Sequence, residues 1–278
     1  MFKILVDSCG EFTKELKDDP RFENVPLTLE VNGEHIIDDE TFNQAEFLRK
    51  VKESPVGPKS SCPSPEAYLN RFEDDADRIY MITLSAILSG SYNSAMVAKH
   101  MYEEKHDDKK IYVFNSKSAS IGQTLIAVKI KECEDAGMDF DEVVKTVEDY
   151  IAEMHTFFVL ETLETLRKNG RLSHLKAFVA GALNIKPVMG STDEGNIQQL
   201  GQSRGMAKAL KKMAEEVNKA TVNTENKILA IAHCNAPEKA LVVKNEIEKY
   251  CKFKDIIILD TQGVSSMYAS DGGVIVAV

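Results

Sequence analysis

"RIYMITLSAILSGSYNSAMVAKHMYEEKHDDKKIYVFNS", residues 78–116, passes through two periodicities. "RIYMITLS" (78–85) is a short apolar run that reads as a strand, and "YNSAMVAKHMYEEK" (92–105) reads as a helix. "KIYVFNS" (110–116) returns to strand. A strand, a helix and a second strand in succession form the crossover that parallel strands require. Working outward, "FKILVD" (2–7) is a strand, "TKELKD" (13–18) a short helix and "NQAEFLRKVKE" (43–53) a helix. Between them "VPLTLEVNGEHIID" (25–38) reads as a hairpin around Asn32-Gly33. "GPKSSCPSPEAYL" (57–69) is a proline-stiffened loop presenting Ser60 and Ser61; Ser64 then caps a helix with Pro65 in its first turn. A helical pair across 119–136 and 140–154 completes this half. The alternation predicts a mainly parallel sheet with helices on both faces.

From about His155 the rhythm changes. "FFVLETLETLRKNGRL" reads as a strand and a helix ended by Asn169-Gly170, followed by an apolar helix near 174–184. Then come strand "IKPVMG", turn "STDEGN", strand "IQQLGQ", helix 205–219, strand 227–233, helix 237–251, strand 255–260 and terminal strand "GGVIVAV". Hairpin-like connections predict a mixed sheet. The expected architecture is therefore α/β in two domains, 1–155 and 156–278, with any ligand at the cleft between them.

The 278 residues are 43% hydrophobic and 28% charged, enough for a sizeable core, with a formal charge of -10. That balance argues against nucleic acid or an anionic membrane surface as the main partner. The apolar stretch before Asp7 is too short for a signal peptide, and no run approaches the length of a membrane span. Cys9, Cys62, Cys133, Cys234 and Cys251 are odd in number and scattered, which suits a reducing cytoplasm and no disulfide or zinc framework. No metal and no cofactor is expected.

In open α/β sheets ligands gather beyond the carboxyl ends of strands. There this sequence places Asp7-Ser8, Ser89-Gly90-Ser91 and Asn115-Ser116, and the proline loop adds Ser60 and Ser61. Such residues are ordinary helix caps and turn formers one at a time. Together they describe a rim of neutral donors suited to one anionic head group. Arg171 follows the Asn169-Gly170 helix stop and is either a surface arginine or a fork for a carboxylate. None of GxGxxG, GxxxxGK[ST] or HExxH occurs. His233, at a strand end in "AIAHCN", is either a structural histidine or a base. Cys9 and Cys62 read as small wall residues of the rim.

Taken in order, "DSCGEF", "KSSCPSPEAYL", "LSGSYNSA", "NSKSASIGQ", "LETLRKNGRLS", "LNIKPVMG", "GQSRGMAKAL" and "SDGGVIVAV" resemble the motifs of the DegV family of bacterial fatty-acid-binding proteins over nearly the whole chain. The resemblance implies one long-chain fatty acid, of the palmitate, stearate or oleate kind, with its chain in an apolar tunnel and its carboxylate at the interdomain cleft. It implies that Ser60 and Ser89 hold that carboxylate, with the Gly90-Ser91 backbone adjacent, and that Arg171 is the motif arginine. It also implies a carrier and not an enzyme, in some members presenting the acid to a separate ATP-dependent kinase for acyl-phosphate formation in phospholipid synthesis. This sequence departs from the pattern in four places. Ser60 replaces Thr, Asn115-Ser116 replaces Asp-Ser, Ala269 stands at the histidine position, and Asp271-Gly272 replaces Gly-Pro. The absent histidine bears on the kinase partnership more than on lipid binding.

Tunnel candidates are 85–90, 157–160 and 175–183, stretches that plain core packing explains equally well. Two other functions stay open: a serine hydrolase or acyl transferase with His233 or Asp7 activating Ser89, and a carrier of some other amphiphilic acid without a kinase.

Overall fold

The computed structural model describes residues 1–173, 175 and 184–278. In the first half, β1 (Phe2–Asp7) leads through α1 (Lys14–Asp18) to β2 (Phe22–Val25), then β3 (Thr28–Val31) and β4 (Glu34–Ile37). There follow α2 (Gln44–Glu53), β5 (Lys59–Ser61), α3 (Pro65–Phe72), β6 (Arg78–Thr83), α4 (Ser91–Glu103), β7 (Lys110–Asn115), α5 (Ile121–Asp135) and α6 (Phe140–Glu153).

Strands β2, β1, β6 and β7 lie side by side in that order, every pair parallel. Alternate residues of these strands face opposite ways, and both faces are covered. Ile4, Val6, Tyr80, Ile82 and Phe114 pack with α5 and α6. Leu5, Ile79, Met81, Ile111 and Val113 pack with Tyr68 and Phe72 of α3 and Ala95 and Ala98 of α4. The sequence reading omitted β2, whose four residues "FENV" show no alternation of their own and are held by pairing with β1.

The expected hairpin is β3–β4, turning with Asn32 at φ 54° and Gly33 at φ 80°, the left-handed pair that a two-residue turn demands. One correction follows beside it. The proline-flanked stretch expected as loop contains β5, which pairs antiparallel with β3, placing Ser60 opposite Leu29 and Ser61 opposite Thr28. The helix after it begins as read, with Ser64 Oγ accepting from Ala67 N at 3.2 Å.

The second half runs β8 (Thr156–Val159), α7 (Glu164–Lys168), β9 (Ile185–Ser191), β10 (Ile197–Arg204), α8 (Met206–Ala220), β11 (Ile228–His233), α9 (Pro237–Ile247), β12 (Asp255–Asp260), α10 (Gly263–Ala269) and β13 (Val274–Ala277). Its sheet has the order β10-β9-β8-β13-β11-β12, in which β11 and β12 are parallel and the other neighbours antiparallel. The sheet is mixed, as expected. α8 and α9 cover one face through Leu210, Met213, Val217, Val243 and Ile247. The helix expected near 174–184 and the tunnel stretch 175–183 lie outside the described residues, Leu175 and residue 184 excepted. α10 was not expected. Its seven residues, "GVSSMYA", carry glycine, valine and two serines and no amphipathic pattern.

All strands of the parallel sheet precede residue 116 and all strands of the mixed sheet follow residue 155. α5 lies between the sheets, touching β1 and β6 on one side and β11 and β13 on the other. Its Ile121, Leu125, Ile126, Ala127 and Ile130 are buried, while Glu132 and Asp135 bring its last turn out to solvent. No helix among the described residues is long and apolar enough to cross a membrane.

Candidate functional site

The end of α7 aims the first site residue. Gly170, at φ 79°, lets its own N–H reach Arg167 O at 3.0 Å while Arg171 N reaches Leu166 O at 2.9 Å, a paired helix stop that only a left-handed residue completes easily. The Arg171 side chain is thereby turned toward the region between the two halves. Its Nε donates to Leu88 O at 3.1 Å, Nη1 donates to Asn169 O, and the guanidinium carbon lies 5.9 Å from the Tyr268 ring centroid. Two of the five N–H donors are thus engaged by backbone carbonyls. Ser60, fixed by the β3–β5 ladder, brings its Oγ to 3.3 Å from Tyr268 Oη. Ser89 precedes α4 and its Oγ accepts from Ser91 N at 3.2 Å.

These groups border a cavity of about 870 Å³, open solvent at its mouth included. Ser60, Ser89, Arg171 and Tyr268 stand together on its wall. Its length is walled by Leu84, Leu88, Phe158, Leu160, Leu166, Ile197, Val264 and Ile275. Both halves of the chain contribute. Cys9, Ser120 and Ser265 stand deeper on the wall, and Ala269 lines it where the family pattern would have histidine. Asn196, Asn169 and Gly170 join Ser89, Gly90 and Arg171 in a polar groove that meets the cavity at its mouth.

Of the residues singled out from sequence, Ser60, Ser89, Arg171, Ala269 and Cys9 come together on the cavity, and Gly90 borders the adjoining groove. The tunnel stretches 85–90 and 157–160 contribute Leu88, Ser89, Phe158 and Leu160. The other strand-end residues brace one another. Asp7 is fully buried and its carboxylate accepts from Leu84 N at 2.8 Å, Ser91 Oγ at 2.5 Å and Gln123 Nε2 at 2.8 Å. Ser8 Oγ donates to Asp38 Oδ2 at 2.9 Å. Asn115 Oδ1 accepts from Ala86 N and Lys117 N, both at 3.1 Å. Ser116 Oγ closes a turn onto Ser118 O at 3.0 Å, and Ser61 faces solvent on β5. Cys62 is half-buried outside the cavity wall.

His233 Nδ1 accepts from Ala236 N at 3.3 Å and lies 3.4 Å from Asp260 Oδ1. Neither His233 nor Asp7 is part of the cavity wall that Ser89 borders, so neither base proposed for a serine nucleophile stands where that chemistry needs it.

Sequence reasoning missed Tyr268, Glu11 and Asp38. Tyr268 adjoins Ala269 on a helix without a sequence signature. Glu11 and Asp38 carry no local signal of burial, and they are 1% and 2% exposed. Burial pushes Glu11 up to about 7 against the hydrogen bonds from Ser265 and Ser120, and Asp38 up to about 6 against those from Val264 N, Ser8 and Gly263 N. Burial, with the charges of Asp7 and Glu11, raises the Cys9 thiol well above its ordinary value, which suits a wall residue and not a nucleophile. Among the described residues no group of His, Cys, Asp and Glu could hold a metal ion.

The family model described as an uncharacterised protein of the DegV family matches residues 1–278. A DegV domain-containing protein of Streptococcus gordonii is 35% identical over 99% of this chain and 97% of its own length. Among solved structures, a DegV-family protein of Ruminococcus gnavus, refined with vaccenic acid, is 54% identical with a TM-score of 0.97, covering 100% of this chain and 99% of that one. The Streptococcus pneumoniae fatty acid kinase B3 protein, loaded with linoleic acid, is 33% identical with a TM-score of 0.90, covering 99% of this chain and 98% of that one. The full-length family match and the 35% identical relative agree: the chain belongs to the DegV family.

Proposed function

We propose that the protein carries one long-chain fatty acid, its carboxylate at Ser60, Ser89, Arg171 and Tyr268 and its chain along the apolar wall. The observation that carries this reading is a cavity walled by leucine, isoleucine, valine and phenylalanine, with Ser60, Tyr268 and Arg171 beside one another on the same wall. Each buried methylene contributes roughly 0.8 kcal/mol, so a sixteen-carbon chain offers about 12 kcal/mol before the costs of ordering and association. A carboxylate taken from water without partners would cancel several kcal/mol of that, which is the work of the hydroxyl and guanidinium donors. Affinity comes from the wall and orientation from the mouth.

The relatives solved with vaccenic and linoleic acid support the ligand class. The kinase named in the pneumococcal relative supports a role in presenting the acid for phosphorylation, as a binding subunit in the cytoplasm. Five unpaired cysteines agree with that compartment. Ala269, at the family's histidine position and directly on the cavity wall, favours a second reading in which the acid is held without a kinase. Native mass spectrometry of the purified protein, followed by denaturation and lipid identification, tests the first claim. One fatty acid per chain is expected. A protein that is empty and also refuses added palmitate and oleate would overturn it. Adding an acyl-accepting kinase subunit and ATP to the loaded protein separates the two readings by whether acyl phosphate forms.

A further inference from the structure

Tyr268 reaches the mouth only because of where α10 lies. That helix follows β12 of the mixed sheet, yet Val264 and Met267 pack in one apolar cluster with Leu27, Leu29, Val31 and Phe47 of the opposite half. A buried carboxylate joins the two. Gly263 N donates to Asp38 Oδ1 at 2.7 Å, and Val264 N donates to Oδ2 at 2.9 Å. Ser8 Oγ donates to the same Oδ2 at 2.9 Å and itself accepts from Leu27 N at 2.9 Å. A Cβ on Gly263 would stand 2.4 Å from Asp38 Oδ1, so the approach requires glycine. A second tie comes from Gln44 of α2, whose Nε2 donates to Ser266 Oγ at 3.1 Å and Thr261 O at 2.9 Å. Asp38's hydrogen-bond partners are backbone N–H groups and a hydroxyl, none of them cationic.

We propose that Asp38 is a positioning residue of the acid-binding end: its carboxylate, by accepting the first two N–H groups of α10, sets Tyr268 against Ser60, so that the grip on the ligand depends on a side chain that never touches it. The proposal rests on the reading of the cavity as an acid site. An ionised carboxylate only accepts, and here it meets three donors; protonation removes the charge that strengthens all three bonds and takes up one acceptor position. Protonation therefore loosens α10 while leaving its apolar packing in place. The ionisable groups whose charges act on Asp38, or feel its charge, are Asp7 at the end of β1 and Glu11 in the β1–α1 connection, with Asp260 joined to α10 through Gln44. Glu11 titrates nearest to Asp38 and must be separated from it.

The test follows release of cis-parinaric acid by stopped flow and backbone amide exchange of residues 263–269 by mass spectrometry, both between pH 7.5 and 5.5. Wild type should release about tenfold faster at the lower pH, the scale of one charge-assisted hydrogen bond. Asp38→Asn should release fast at both values and exchange faster in 263–269, while Glu11→Gln keeps the wild-type profile. A flat wild-type profile overturns the proposal. So does a pH dependence that survives Asp38→Asn and vanishes in Glu11→Gln. If Asp38→Asn does not fold, the wild-type and Glu11→Gln profiles decide alone. If the protein refuses the probe, the acid-site reading fails, and unchanged exchange in Asp38→Asn would separately overturn the latch.

Discussion

Two clusters of polar side chains drawn from the same strand-end stretches end in opposite conditions. The Asp7 carboxylate is saturated: Ser91, Gln123 and Leu84 N converge on it, and Ser8 bridges to Asp38, with Gln123 Oε1 the one buried oxygen left over. Around Ser60 the partners are few and long. Tyr268 Oη is 3.3 Å away, and Arg171 keeps donors beyond the two that meet carbonyls. Residue type does not separate the two, since both are built from serine and one charged group. What separates them is saturation. A polar group satisfied by the chain is scaffold, and one that faces a cavity unsatisfied is an invitation to a ligand.

That contrast breaks if the saturated cluster proves dispensable. Asp7→Ala strands a backbone N–H and a buried amide, and should lower the unfolding free energy in urea by about 3–5 kcal/mol. A loss below about 1 kcal/mol would mean that the cluster is not scaffold. Glu11 sharpens the same point through pH. Its folded value of about 7 stands above the ordinary 4.5 because burial disfavours the ion, so the fold is favoured by the protonated form. That contribution is complete below about pH 4.5 and is lost as pH rises through 7, a swing of up to roughly 3 kcal/mol. Urea midpoints from pH 5 to 8 should fall in the wild type and fall less in Glu11→Gln, where the raised Asp38 keeps part of the same dependence.

At the unsaturated cluster the effects move from folding to binding. Ser60→Ala should weaken fatty-acid affinity about fivefold, one hydrogen bond's worth, with unfolding unchanged within roughly 0.5 kcal/mol. Unchanged affinity by fluorescence titration would remove Ser60 from the head-group site. Smallest of all is Ser61→Ala, one residue along the same strand and exposed, which should alter neither property measurably. If the two serines behave alike, the facing assigned by β5 is wrong.

Much of this arrangement was legible before any coordinates. The period change across 78–116, the Asn32-Gly33 turn, the Ser64-Pro65 start and the Gly170 stop are local signals, and local chemistry decided them. The loops after β1, β6 and β7 did gather at one edge of the parallel sheet, while the Ser60 stretch proved to be β5 of a separate sheet. The sequence could not tell which of their hydroxyls would be consumed by neighbours, because that depends on contacts such as Asp7 to Ser91, 84 residues apart. β5 and α10 were illegible for a related reason. Neither carries a periodic pattern, and each exists because something distant supplies its partners: β3 for the one, Asp38 and Gln44 for the other.

The placement of α5 between the two sheets bears on how a ligand could come and go. Five of its apolar side chains are shared by both halves, and at about 1.5–3 kcal/mol each their joint exposure would cost on the order of 10 kcal/mol. That is comparable to the stability of a whole domain. The halves therefore do not swing apart like a clam around the guest. Exchange has to proceed through small pieces at the rim that lift one at a time, and the tempo of loading is set by the least anchored of them.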